Sequence, residues 1–200
     1  MKISALNYDI SWERIVSDIL SPPMVWALMA VPIALRDSPT TSQGIEWASI
    51  YIWFVCISPL IYIGIMVKRG RITDMHMKVR GERIKPFLVS IASTLIAFFV
   101  LTISNASDVV LLFTLFTLVQ LILIAGITLK WQISFHAISI GGATVALWVL
   151  FSTLYGMLTL PLVIVVGAAR LRLHRHTPAQ VVAGSILGML VPVLLFAIFA

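Results

Sequence analysis

The chain has 200 residues, 60% of them apolar and only 11% charged, with a mean hydropathy of +1.05. A soluble domain is about a quarter charged, and a globule of this length has too little interior for so many apolar side chains. The composition excludes a soluble enzyme, a disordered chain and a disulfide-stapled scaffold, and describes an all-α, polytopic membrane helix bundle of six to seven transmembrane helices. The single cysteine, Cys56, sits in an apolar run and has no intramolecular partner. The net charge of +6 fits loops facing anionic lipid or a phosphate-bearing ligand, not nucleic acid.

Residues 1–19 read as an N-terminal interfacial segment and 20–200 as a single transmembrane domain. Asp9, Glu13 and Asp18 precede any apolar core, unlike a cleavable signal peptide, which opens on basic residues and an apolar stretch. Residues 8–19 suit an amphipathic helix with Ile10, Ile15, Val16 and Ile19 in a lipid-facing stripe; a plain extension of the first span is the alternative.

A bilayer core of about 30 Å needs about 20 apolar helical residues. Candidate spans follow at about 20–36, 46–67, 86–103, 108–129, 137–153, 157–172 and 178–199. The first is short and proline-rich, opening on Pro22 and Pro23, and Pro59 is a possible kink in the second. Counting turns puts the N-terminus and segments 68–85, 130–136 and 171–177 on one face. Thirteen of the 14 basic residues lie at or near that face, with only Arg36 opposite. The positive-inside rule makes the basic face cytoplasmic.

Three segments of that face stand out. They are Lys78-Val-Arg-Gly-Glu-Arg-Ile-Lys-Pro86, Trp131-Gln-Ile-Ser-Phe-His136, and Ala169-Arg-Leu-Arg-Leu-His-Arg-His-Thr-Pro-Ala-Gln180. All abut helix ends on one side, so they can converge. Together they hold at least six cations, histidines and few acids; the nearby acids are Asp74 and Glu82. Lysine and arginine bind phosphate oxygens, and histidine serves as nucleophile, acid or base near neutral pH. Bland alternatives exist. Lys78, Arg80, Arg83 and Lys85 also suit a juxtamembrane cluster binding anionic headgroups, and His136 alone suits an ordinary interfacial histidine. Arg170 follows the apolar run LPLVIVVGAA, where an ionisable residue normally has a partner. His174 and His176 are two apart, a poor helical spacing for a metal, and His174 reads as a solvated loop residue. Pro178 marks a helix start after His176, with Gln180 one turn on and within reach of its ring.

These segments resemble the three signature motifs of the type-2 phosphatidate phosphatase superfamily of membrane lipid phosphatases. Lys78, six residues, then Lys85-Pro86 resembles the first, with lysine for the family's arginine. Ser134-Phe135-His136 resembles the end of the second, with Phe135 for glycine. Ala169-Arg170, five residues, His176, three residues and Gln180 resembles the third, with alanine for serine and Gln180 for aspartate. The resemblance covers about residues 60–195.

The resemblance implies hydrolysis of a membrane lipid phosphate, of polyprenyl or phosphatidate type, through a phosphohistidine, with no metal or cofactor. His176 would attack phosphorus and His136 would protonate the leaving group. Lys78, Lys85 and Arg170 would hold the phosphoryl oxygens, with Arg83 an additional or substitute ligand and the backbone around Ser134 and Phe135 donating N–H groups. Gln180 would orient His176 without supplying a carboxylate's charge. A non-catalytic lipid-phosphate binder on the same scaffold is therefore the second expectation. A prenyltransferase is discounted, because its Mg²⁺-diphosphate site needs two Asp-rich motifs and this stretch has Asp74 alone.

Overall fold

The computed structural model describes residues 11–77 and 79–199, and among them the only regular secondary structure is helix. A short helix α1 (Trp12–Ile19) meets α2 (Pro22–Asp37) at a 48° bend. Then come α3 (Thr41–Lys68), α4 (Arg80–Ile103), α5 (Asp108–Thr128), α6 (Phe135–Leu150), α7 (Thr153–Arg172) and α8 (Pro178–Phe199). Five of these are long and apolar enough to cross a membrane, six if α1 and α2 count as one broken span. The protein is a multi-pass membrane bundle. Its outer face carries large apolar side chains, such as Phe99, Leu158, Ile164 and Ile198, as a lipid-exposed surface does.

Side chains mark the helix starts. Thr40, Ser107 and Ser134 accept hydrogen bonds from the N–H of Gln43, Val110 and Ala137, satisfying donors that the first helical turn leaves free. Pro22 and Pro178 lie in first turns, where no N–H is needed. At Pro59 the helix does not break. Residues Ile52–Ile57 form a π-helical turn ahead of it, and the hydroxyls of Ser58 and Ser93 donate to the Phe54 carbonyl at 3.2 and 2.6 Å. The ladder that proline disrupts is repaired by side chains.

α6 is the fifth expected span, but at 16 residues it is about 24 Å long. It sits inside the bundle, packed chiefly on α7 and α8 and also on α2. Gly184 and Gly188 of α8 bring the two backbones together: a Cβ at Gly184 would lie 2.6 Å from the Ser134 carbonyl, and one at Gly188 would lie 2.8 Å from Ile138 Cα. Deeper in, Trp26, Tyr51, Phe113 and Phe116 form an aromatic core with centroid separations of 4.9 to 5.9 Å. Tyr51 and Thr117 share a 2.7 Å hydrogen bond there.

α1 differs from the expected interfacial helix. Ile15 and Ile19 face outward, but Val16 packs against the core and Ser17 is buried at 1% exposure; Ile10 lies outside the described residues. α1 leans on α7 and so reaches the end of the bundle where the three polar segments meet.

Candidate functional site

The site lies at the bundle end that holds α1, the loop after α3, the start of α6, the end of α7 and the start of α8. A cavity of about 260 Å³ opens there, with Asp18, His76, Arg83, His136, Arg170 and His176 at its polar end. Pro22, Leu60, Ile63, Phe87 and Phe135 form its apolar wall. A second apolar cavity of about 70 Å³ shares much of that wall and reaches inward to Trp26, Cys56, Thr117 and Leu121.

Arg170 closes the last turn of α7 and is 2% exposed. Its Nη1 donates to Ser17 Oγ at 2.6 Å, while its Nε has no hydrogen-bond partner among the described residues. Arg83, 6% exposed, donates from Nε to the Met77 carbonyl at 2.8 Å. With its amide oxygen turned toward Arg83, Gln132 also accepts from Nη2 at 2.6 Å. Neither arginine enters an ion pair among the described residues. Arg175 adds a third cation, 3.8 Å from Asp74.

His176 sits in the loop after α7, at 9% exposure. The Gln180 amide oxygen lies 3.3 Å from its Nδ1 and also accepts the Thr177 backbone N–H at 3.0 Å. Because that oxygen only accepts, Nδ1 must carry the proton, and the ring's lone pair lies on Nε2. Burial, then the charges of Arg170 and Arg83, push the imidazole down to about 4, against the Gln180 hydrogen bond. His176 is therefore neutral at physiological pH.

His136 stands in the first turn of α6 and is 8% exposed. Its Nε2 lies 3.1 Å from the Ser17 carbonyl and 3.4 Å from Ser17 Oγ. A carbonyl only accepts, so Nε2–H is the donor and is committed to α1. No family model, curated protein or solved structure matches this chain.

The structure thus brings His176, His136, Arg170, Arg83 and Gln180 together. It does not bring in Lys85, which is exposed and absent from the cavity wall. Arg83 occupies that wall instead, because residues two apart at a helix start point to nearly opposite sides. Lys78 lies outside the described residues. Ser134 caps α6, and its N–H donates to the Gln180 carbonyl at 3.1 Å, so it is not available to a ligand; it ties α6 to α8 instead. His174 is exposed, as a solvated loop residue is. No cluster of metal-ligating side chains occurs among the described residues.

Sequence reasoning missed Ser17, Asp18 and His76. Asp18 Oδ1 lies 3.3 Å from His76 Nε2, and the His76 and His136 rings are nearly parallel, at 18°, with centroids 6.5 Å apart. No spacing signal marks any of the three. Only the buried side of a short amphipathic helix hints at Ser17.

Proposed function

We propose that this membrane protein hydrolyses a lipid phosphate, with His176 as nucleophile and Arg83 and Arg170 as the phosphate-binding cations. One observation carries the reading. Two buried guanidinium groups line one cavity, and among the described residues neither makes an ion pair with a carboxylate. A buried charge without a directly paired counter-charge is costly, and an anionic ligand offsets that cost.

The chemistry follows from the same groups. His176 is neutral, with its proton held on Nδ1, so Nε2 can attack phosphorus. The guanidinium forks bind the equatorial oxygens and oppose the charge that builds in the transition state. A histidine of the same cavity carries the proton for the leaving oxygen. The apolar wall and the inner cavity beyond it suit a hydrocarbon chain whose headgroup sits among the arginines. The spacing of the three segments, which resembles that of the type-2 phosphatidate phosphatase superfamily, supports the same reaction. The positive-inside bias assigns the site-bearing end to the cytoplasm.

A second reading, a lipid-phosphate binder that turns over weakly or not at all, is favoured by Gln180. Its amide orients His176 but supplies no negative charge to an imidazolium. The deciding experiment is phosphate release from polyprenyl phosphate, polyprenyl diphosphate and phosphatidate by the detergent-purified protein, with EDTA present. Hydrolysis abolished by His176→Ala supports the phosphatase. An inert parent that gains turnover on Gln180→Asp supports the binder, and turnover unchanged in His176→Ala overturns the mechanism. For sidedness, Cys56 is buried, so a cysteine introduced at Arg71 reports labelling from one side of a sealed vesicle.

A further inference from the structure

The leaving oxygen needs a proton, and two histidines stand near the nucleophile. His136 is poorly placed to give one. Its Nε2–H is bonded to the Ser17 carbonyl, so using that proton would release α1. His76 is differently held. Its side chain is 35% exposed, its Nε2 faces the Asp18 carboxylate at 3.3 Å, and it lines the same cavity as His176. Its backbone N–H donates to Asp74 Oδ1 at 2.7 Å, which fixes the turn that carries it.

A carboxylate on Nε2 places the ring proton there and leaves the Nδ1 lone pair to exchange protons. It also supplies the negative charge that stabilises an imidazolium. Gln180 cannot do this for His176, but Asp18 can do it for His76.

We propose that His76, positioned by Asp18, is the proton-transfer residue of the site. The inference rests on the phosphatase reading. In the first half-reaction a His176 nitrogen bonds to phosphorus and the ester P–O bond breaks. The departing oxygen takes the proton from the His76 imidazolium and leaves as the alcohol. In the second, water oxygen bonds to phosphorus, the P–N bond breaks and its electron pair returns to His176. His76 takes the water proton and is again an imidazolium. The groups facing the ring are Asp18 from α1, Asp74 and Arg175 from the loops, His136 from α6 and Arg170 from α7. Burial, Arg170 and Arg175 push its titration down, so the donating imidazolium is the minor form at neutral pH, and Asp18 and Asp74 oppose that shift and raise its share.

The test compares two substrates of the purified protein, an alkyl phosphate lipid and an aryl phosphate whose leaving group needs no proton. His76→Ala is expected to lower alkyl turnover by roughly 10²- to 10⁴-fold and aryl turnover far less, with added imidazole restoring part of the alkyl rate. Asp18→Asn is expected to move the titration of His76 downward and shift the pH profile with it, whereas Asp18→Glu restores it. Equal losses on both substrates, with no imidazole rescue and an unmoved pH profile, overturn the proposal while leaving the phosphatase intact. So does a leaving-group dependence that appears in His136→Gln instead. A parent that releases no phosphate from either substrate overturns the phosphatase reading and this proposal together.

Discussion

Arg170 and Ser17 stand 153 residues apart in the chain and are joined by a 2.6 Å hydrogen bond at the buried end of α7. Ser17 ties α1 to the site, since its carbonyl also holds His136. Ser17→Ala removes the only side-chain partner that Arg170 has among the described residues. The expected loss is about 1–3 kcal/mol of stability, the cost of an unsatisfied buried polar group. Thermal unfolding in detergent checks this, and inorganic phosphate should recover more stability in the variant than in the parent.

The depressed titration of His176 fixes a pH dependence. The unfolded chain binds a proton at about 6.5, the folded chain only at about 4. Between those values the unfolded state holds more protons, so stability rises with pH across the window. It is fully present above about 6.5 and is lost as pH falls toward 4. Arg170→Gln removes a cation and should move the His176 titration upward, toward its ordinary value. Imidazole NMR of the labelled histidines measures the shift; an unmoved His176 resonance contradicts the electrostatic account.

Arg83 and Lys85 separate by function. Arg83→Gln should weaken binding of inorganic phosphate or vanadate about tenfold to a hundredfold, the worth of a charge-assisted hydrogen bond. Lys85→Gln should leave it unchanged, because that side chain is exposed and outside the cavity. Calorimetric titration of the two variants decides between them.

The α6–α8 seam makes a packing prediction. Gly184→Ala pushes a methyl against the Ser134 carbonyl and should cost about 1–3 kcal/mol through backbone displacement. It should also lower turnover, because the Ser134–Gln180 hydrogen bond beside it joins the elements carrying His136 and His176. Gly64→Ala has open space around it and should leave stability unchanged or raise it by up to about 1 kcal/mol. Melting temperatures and phosphate release of the pair test both halves.

Much of the architecture was legible from apolar runs and their proline and serine boundaries, since a bilayer admits little but helices of set length. The convergence of the segments around Arg83, His136 and His176 was also legible, because alternate helix ends must share a side. The finer placement was not. Counting back from Pro86 selects Lys85, but Arg83 and Lys85 point to nearly opposite sides of the helix start, and only tertiary packing decides which faces inward. Ser17 and Asp18 fall on a helix whose pattern suits a membrane surface, and only tertiary packing turns their face inward. His76 sits in a loop, where no periodicity tells a residue's direction.

α6 has a consequence for how the protein is made. Its 16 residues include Gly141, Gly142 and a run of buried small side chains, and its close neighbours α7 and α8 follow it in the chain. A nascent α6 leaving the ribosome has neither of those partners and is short for a bilayer crossing. Its packing is therefore completed only once α7 and α8 have been made. Arg170 and His176 lie at the end of α7 and just before α8, so the site too is completed only after α6 has been joined by those helices.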